Sequence, residues 1–101
     1  MTKEQIIASA RIFAKLQAVL GKNNVADVQN AAIFPMRVIV AYNKEAFSRH
    51  VLTEDTQRFL AKEYDAFTLE AYQESLEKPL SATEQGVWQL AYNRAKQEFR
   101  K

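Results

Sequence analysis

The sequence predicts an all-α domain, a compact bundle of about five helices, and three observations support this. Gly and Pro occur only twice each in 101 residues, whereas a sheet protein of this size needs many tight turns built from them. Good helix formers such as Ala, Leu, Glu, Lys and Gln are frequent. Apolar residues recur at spacings of three and four, the periodicity of one helix face. A chain of this length fits a single domain, residues 1–101, with one core.

The first helix is predicted from Lys3 to Leu20. Thr2 and Gln5 have the spacing of a capping box, in which each side chain bonds the backbone amide of the other residue. Apolar side chains follow at helical spacing along the whole segment. Gly21 then offers the left-handed conformation that commonly ends a helix. These signals fix both ends of the helix.

Two more helices are predicted on either side of Phe34-Pro35. Asn23-Asn24 can cap a short helix from about Val25 to Ala32. A residue before proline avoids the α region, and proline suits a first helical turn, so a third helix should run from about Pro35 to Arg49. Val38-Ile39-Val40 is β-branched and could form a strand. Its flanks are helical and no partner strand is evident, so the helix is favoured.

The fourth helix is predicted to be the longest, from about Glu54 to Leu76. Thr53 can cap it, and an apolar and aromatic stripe continues along its length. Lys78-Pro79 ends it. A Ser-x-x-Glu capping box then opens a fifth helix, from Ala82 to about Arg100. The result is four long helices and one short one.

The residue types present argue against an enzyme. With no cysteine there is no disulfide, thiolate metal site or cysteine nucleophile, and His50 is the only histidine. We interpret it as a surface residue near a helix end. Glu63, Glu70 and Glu74 lie on the predicted fourth helix, and the pair Glu70/Glu74, one turn apart, could serve acid–base work or a carboxylate metal site. The Glu-x-x-His motif of di-metal bundles is missing, which favours a solvated acidic face. No serine elbow or Gly-rich phosphate loop occurs. We expect no catalytic residue, metal or cofactor.

The location expected from the sequence is a reducing cytoplasm. No signal-peptide pattern and no long apolar run is visible, so we expect neither secretion nor a membrane partner. The lack of cysteine is typical of proteins that do not depend on disulfides.

Basic side chains are the remaining candidates for function. The net charge is only +2, and the isoelectric point of about 9.0 lies at the border expected of nucleic-acid binders. Rows of Arg and Lys can follow a phosphate backbone, and aromatic neighbours can stack on unpaired bases. The alternative is that these cations are only hydrated surface charges that offset helix dipoles.

Three segments, taken in order, resemble a known family. They are RIFAKLQAVLGK (11–22), FPMRVIVAY (34–42) and LSATEQGVWQLAYNRAKQEF (80–99). They resemble the C-terminal helical region of the large subunit of type I-C CRISPR surveillance complexes, a region that is also made separately as the small subunit. The matching residues are Phe34, Pro35, Glu84, Gln85, Gly86, Trp88, Tyr92, Gln97 and Phe99.

The resemblance implies a helical, non-catalytic subunit of a crRNA-guided complex. Several copies would contact one another and the large subunit, and basic residues would hold DNA through its backbone without reading sequence. The residues that we expect to contact nucleic acid, chosen from the helix faces of this chain, are Arg11, Lys15, Arg37, Lys44, Arg94 and Arg100. The alternative from a different class is a free-standing protein-interaction module, such as a phage or mobile-element inhibitor or adaptor.

Overall fold

Six helices form the fold in a computed structural model that describes residues 1–100. They are α1 (Lys3–Leu20), α2 (Val25–Ile33), α3 (Pro35–Ser48), α4 (Glu54–Tyr64), α5 (Leu69–Glu77) and α6 (Ala82–Glu98). The predicted all-α class is confirmed, and over these residues there is no strand. The predicted number of helices is wrong by one, and small boundary differences fall within ordinary fraying. No helix in the described range combines the length and apolarity needed to cross a bilayer.

The two capping boxes, at the starts of α1 and α6, form as the sequence predicts. The Thr2 hydroxyl accepts from the Gln5 amide, and the Gln5 side chain accepts from the Thr2 amide. Ser81 and Glu84 make the same reciprocal pair at the start of α6. Gly21 ends α1 with a φ of 68°, in the left-handed region that favours glycine. Each cap satisfies amides or carbonyls that a helix end would otherwise leave unpaired.

The predicted fourth helix is wrong, because the chain turns at residues 65–68 and separates α4 from α5. The Thr68 hydroxyl accepts from the Ala71 amide and caps a new helix. The Gln5 side chain of α1 donates to the Ala66 carbonyl at 3.1 Å, so the turn is held against α1. A threonine side chain that bonds nearby backbone competes with a continuing helix. The turn also brings α5 against α3, where it packs.

An aromatic cluster around α1 forms the middle of the core. α1 packs against α2, α3, α4 and α6. Phe13 is fully buried and its ring lies 5.0 Å from that of Tyr42, and 5.7 Å from those of Trp88 and Tyr92. Burial of a Phe side chain contributes about 1.5–3 kcal/mol. Each aromatic pair adds about 0.5–1.5 kcal/mol. The cluster therefore joins α3 and α6 to α1.

The seam between α1 and α6 is closed in its middle and open on both sides of α6. α6 runs in roughly the same direction as α1, since Val87 lies near Ile7 and Arg100 lies near Lys22. In the middle of the seam the Trp88 ring is fully buried. Two concave surfaces lined by basic residues flank it, one between the first half of α1 and the middle of α6, the other where α1 ends beside the last turn of α6. Most of the basic residues predicted to act in binding lie along this seam.

Candidate binding surfaces

Arg11, a predicted phosphate contact, is held by two carboxylates. Its Nε donates to Glu63 at 2.9 Å and its Nη1 donates to Glu98 at 3.0 Å. The side chain is only 28% exposed. Burial alone would lower the pKa of the guanidinium, but the hydrogen bonds to the two carboxylates outweigh burial and raise this pKa above its ordinary value. Arg11 therefore joins α1 to α4 and α6 and is not free to bind phosphate.

Lys15 lies one turn further along α1 and covers an aromatic pair. Its Nζ lies 5.6 Å from the centroid of Phe59 and 4.9 Å from that of Phe99. The two rings meet edge to face with centroids 5.1 Å apart. A cation over a ring at a partly exposed site contributes about 0.5–1 kcal/mol. Both rings are partly buried against the core, so they are packing elements and offer no free platform for a base.

The predicted contacts on α3 lie apart from those on α1. Arg37 stacks on the Phe34 ring at 4.0 Å and its Nε donates to the Leu76 carbonyl at 2.5 Å. It thereby satisfies a carbonyl at the end of α5. Lys44 is exposed and forms no ion pair within residues 1–100. The structure therefore gives Arg37 a structural contact and leaves Lys44 as an isolated surface cation.

Arg94 and Arg100 are both exposed, but Arg94 lies on α6 and Arg100 lies in the turn that follows the end of α6 at Glu98. Arg94 shares a groove with Lys3, and Arg100 shares a cavity with Lys96. The six predicted contacts therefore form no continuous row. Arg11 and Arg94 line one surface, Arg100 lines another, and the remaining three line neither.

The surface that Arg100 lines lies where α1 ends beside the last turn of α6, and we call it the C-terminal basic cavity. It has a volume of about 400 Å³ and is lined by Lys22, Lys96 and Arg100, with no carboxylate among its described lining residues. Lys22 Nζ bonds Glu45 at 2.6 Å. Lys96 and Arg100 have no carboxylate partner within residues 1–100. The Lys96 Nζ lies 6.0 Å from the centroid of the Tyr92 ring. Two cations without a carboxylate partner and one paired cation therefore line this cavity.

Two hydrogen-bonded pairs of polar side chains lie near the C-terminal basic cavity, which Gln17 of one pair lines. The Tyr92 hydroxyl donates to Gln17 Oε1, and the Tyr42 hydroxyl donates to Asp27 at 2.5 Å. Burial, and then the bond to Asp27, raise the pKa of Tyr42, while Gln17 opposes that rise. Gln17 is 4% exposed, and its Nε2 makes no hydrogen bond of normal geometry. It therefore leaves a buried donor beside the cavity, an arrangement that costs about 1–3 kcal/mol.

The second surface, the basic-rimmed groove, lies between the first half of α1 and the middle of α6. Its volume is about 410 Å³. Its lining residues, apolar on the floor and basic on the rim, are Ile7, Val87, Leu90 and Ala91 with Lys3, Arg11 and Arg94. Leu90 is 55% exposed. Because Glu63 and Glu98 already neutralise Arg11, the free cations of the rim are Lys3 and Arg94.

The candidate acid–base residues do not all lie at one site. Within residues 1–100 no group of three or more His, Cys, Asp and Glu side chains could hold a metal ion. His50 is exposed in the turn after α3 with a φ of 55°. Glu70 and Glu74 line one shallow depression beside the start of α1, and Glu74 bonds Lys78 at 3.1 Å. These side chains thus lie at helix ends and in surface ion pairs.

Three lining cations were not among the predicted contacts: Lys3, Lys22 and Lys96. The spacing of Lys96 and Arg100, four residues apart in a segment predicted to be helical to about Arg100, was a usable signal in the sequence. Lys22 joins them only because α1 ends beside α6. The apolar floor of the groove had no clear signal, since its residues come from two helices that are distant in sequence.

The residues that carry the CRISPR resemblance mainly build the fold. Glu84 caps α6, and Gln85 donates to the Leu80 carbonyl at 3.0 Å. Trp88 and Tyr92 are buried in the core. The resemblance therefore concerns helix ends and packing more than a binding surface. Comparisons with protein-family models, curated proteins and solved structures found no match to this chain.

Proposed function

We propose that this chain is a non-catalytic binding module that holds the phosphate backbone of a nucleic acid in its C-terminal basic cavity. The observation that carries the proposal is the meeting of Lys96, Arg100 and Lys22 around a cavity with no carboxylate among its described lining residues. An Arg fork can bond two phosphate oxygens, and a Lys ammonium acts as a point charge. Contacts of this kind hold a backbone without reading its sequence.

The rival explanation of these cations is the dipole of α6, whose C-terminal end favours positive charge. This explanation and the proposal predict different results. If Lys96 and Arg100 only offset the dipole, reversing their charge lowers the free energy of unfolding slightly and leaves nucleic-acid affinity unchanged. If they bind phosphate, affinity falls by much more than stability. The carbonyls at the end of α1 are bonded by the Gly21 and Lys22 amides, which lessens the negative charge that they present to the cavity.

The binding experiment uses a labelled single-stranded oligonucleotide of about 16 nucleotides, the upper site size of small single-strand-binding folds. Fluorescence anisotropy of the label is followed at several salt concentrations. With three phosphate contacts, the slope of log K against log salt should be about −2. The variant Lys96→Glu/Arg100→Glu should bind at least tenfold more weakly at low salt. Unchanged affinity, or binding that does not depend on salt, contradicts the proposal.

The matched control for this experiment is Lys44→Glu/Lys62→Glu. Lys44 on α3 and Lys62 on α4 are exposed and line neither the cavity nor the groove. Both double variants change the net charge by the same amount, so a general charge effect would weaken binding in the control as well. Thermal unfolding of all variants verifies that the fold is kept, because exposed substitutions of this kind usually change stability by about 0.5 kcal/mol or less.

The finer assignment, a small-subunit-like component of a CRISPR surveillance complex, rests on the resemblance alone. On this assignment the chain would contact neighbouring protein subunits as well as nucleic acid. Affinity purification of the tagged chain from its native host tests it. Recovery of crRNA with CRISPR subunits supports the assignment. Recovery of one unrelated protein without nucleic acid contradicts it and favours the adaptor or inhibitor alternative.

A further inference from the structure

We infer that the basic-rimmed groove docks an acidic amphipathic segment of a partner protein. This inference goes beyond the phosphate site, because Leu90, Ala91 and Arg94 line the groove, whereas Lys96 and Arg100 line the cavity. It also involves a different chemistry, because the floor of the groove is apolar. A phosphate backbone would leave that floor uncovered.

Its position in a concave surface distinguishes Leu90 from the other exposed apolar side chains. Val25, Phe47 and Leu69 are also exposed, by 68%, 73% and 72%. They line none of the three concave surfaces described over residues 1–100, and single exposed apolar residues need no special explanation. Leu90 instead lies in a concavity beside Ile7, Val87 and Ala91. A clustered apolar floor with a polar rim is typical of a protein-binding groove.

Charge complementarity identifies the partner as acidic. Lys3 and Arg94 at the rim are exposed and have no carboxylate partner within residues 1–100. Arg11 lies between them with its charge already neutralised. No carboxylate lines the groove among the described residues. Carboxylates that flank the apolar side chains of a docked segment would meet these two cations, whereas a basic segment would be repelled.

The length of the groove suggests a helix of two turns as the occupant. Lys3, Ile7 and Arg11 lie on successive turns of α1, and this stretch rises by about 12 Å. A docked helix of that length would present apolar residues at spacings of three and four to the floor. Its acidic residues would flank this stripe near Lys3 and Arg94. The occupant is therefore a short acidic helix with two or more apolar side chains on one face.

A second copy of this chain is a poorer fit than another protein. The acidic helix of this chain is α5, with Glu70, Glu74 and Glu77 exposed. Leu69 is the only large apolar side chain of α5 that is strongly exposed. Tyr72 and Leu76 pack against the core instead. One anchor would leave most of the groove floor exposed, so self-association through α5 is the contrary outcome of the test.

The test titrates the full chain with two synthetic helical peptides and follows methyl groups by NMR. Both peptides carry Leu at spacings of three and four. One has Glu at the flanking positions and the other has Gln there. The expected result is that the methyl groups of Ile7, Val87 and Leu90 shift, while those of Val25 and Leu69 do not. The Glu peptide should bind at least fivefold more tightly at low salt, with the difference shrinking as salt rises.

Substitutions in the chain complete the test. Leu90→Ser should weaken binding of the Glu peptide at least tenfold, and its control Leu69→Ser, at an exposed Leu outside the groove, should leave binding unchanged. Lys3→Glu/Arg94→Glu should abolish the preference for Glu over Gln. Equal binding of the two peptides, or shifts outside the groove, would overturn the inference. So would self-association in sedimentation velocity that Leu90→Ser removes, because the groove would then hold a second copy.

Discussion

The middle of the α1–α6 seam and its two open sides contain similar basic residues, but these residues have different roles. In the middle, the aromatic rings of α1 and α6 are closely packed, and Arg11, where the middle borders the groove, bonds Glu63 and Glu98. At the open sides, Arg94 and Arg100 have no carboxylate partner within residues 1–100. An arginine becomes structural where other helices bring carboxylates within reach, and it stays available for binding where they do not. Helix position alone does not distinguish the two cases.

The largest expected effect is at the aromatic cluster. Phe13→Ala removes a fully buried ring that contacts three others. It should lower the free energy of unfolding by about 3–5 kcal/mol. Leu90→Ala at the open side, where the side chain is 55% exposed, should cost far less. Chemical denaturation measures both variants. A similar loss for the two would mean that the middle of the seam is no more tightly packed than its sides.

Alkaline pH should also lower the free energy of unfolding, through the phenols of Tyr92 and Tyr64. Burial raises the pKa of Tyr92, and that of Tyr64 is raised to about 12, again chiefly by burial. An unfolded phenol titrates near about 10. Because the folded pKa values lie above the unfolded ones, the stabilisation is fully present below pH about 10 and is lost as pH rises through the folded values. Denaturation followed against pH should show this fall. Stability that stays constant to pH about 12 would contradict the burial of these phenols.

Two matched arginine substitutions test the difference between middle and side directly. Arg11→Met removes both charge-assisted hydrogen bonds and leaves Glu63, at 17% side-chain exposure, without its partner. It should cost about 1–3 kcal/mol in unfolding free energy. Arg94→Met should change that free energy by about 0.5 kcal/mol or less. Equal effects in thermal denaturation would show that the Arg11 contacts contribute no more to stability than an exposed cation does.

A small effect of the opposite sign, a gain in stability, is expected at Gly86. This residue lies within α6, and a Cβ added there would meet no atom within 4 Å. Gly86→Ala should therefore stabilise the protein by about 0.5–1 kcal/mol, since alanine favours the helix and restricts the unfolded chain. A rise in the melting temperature with unchanged oligonucleotide binding is expected. A loss of binding would extend the functional surface to the start of α6.

Local signals predicted most of the fold and little of the binding surfaces. The Thr2/Gln5 cap, Gly21 and the Phe34-Pro35 step act within a few residues, and the helix boundaries follow them. The break after Tyr64 depends partly on the bond from Gln5 to a turn that is distant in sequence. No Gly or Pro marks that turn. Apolar periodicity continued across it, so the sequence alone favoured one long helix.

The predicted phosphate contacts also depend on contacts between residues that are distant in the sequence. Arg11 and Lys15 are one turn apart, which suggested a row for phosphate, but α4 brings Glu63 and Phe59 against them. Such contacts join residues far apart in the sequence. Arg100 lies beside a cavity for an equally non-local reason, because α1 ends next to it. Charge spacing identified candidate residues, and tertiary packing determined which remained free.

The central claim is that cations of the C-terminal basic cavity bind phosphate while those of the middle seam are structural. Salt-dependent oligonucleotide anisotropy of the intact protein, Lys96→Gln/Arg100→Gln and Lys15→Gln tests it most directly. The cavity variant should bind at least tenfold more weakly, with a shallower salt slope because fewer counterions are released. Lys15→Gln should bind like the intact protein. If Lys15→Gln lost affinity and the cavity variant kept it, the site would lie in the middle of the seam and the claim would be wrong.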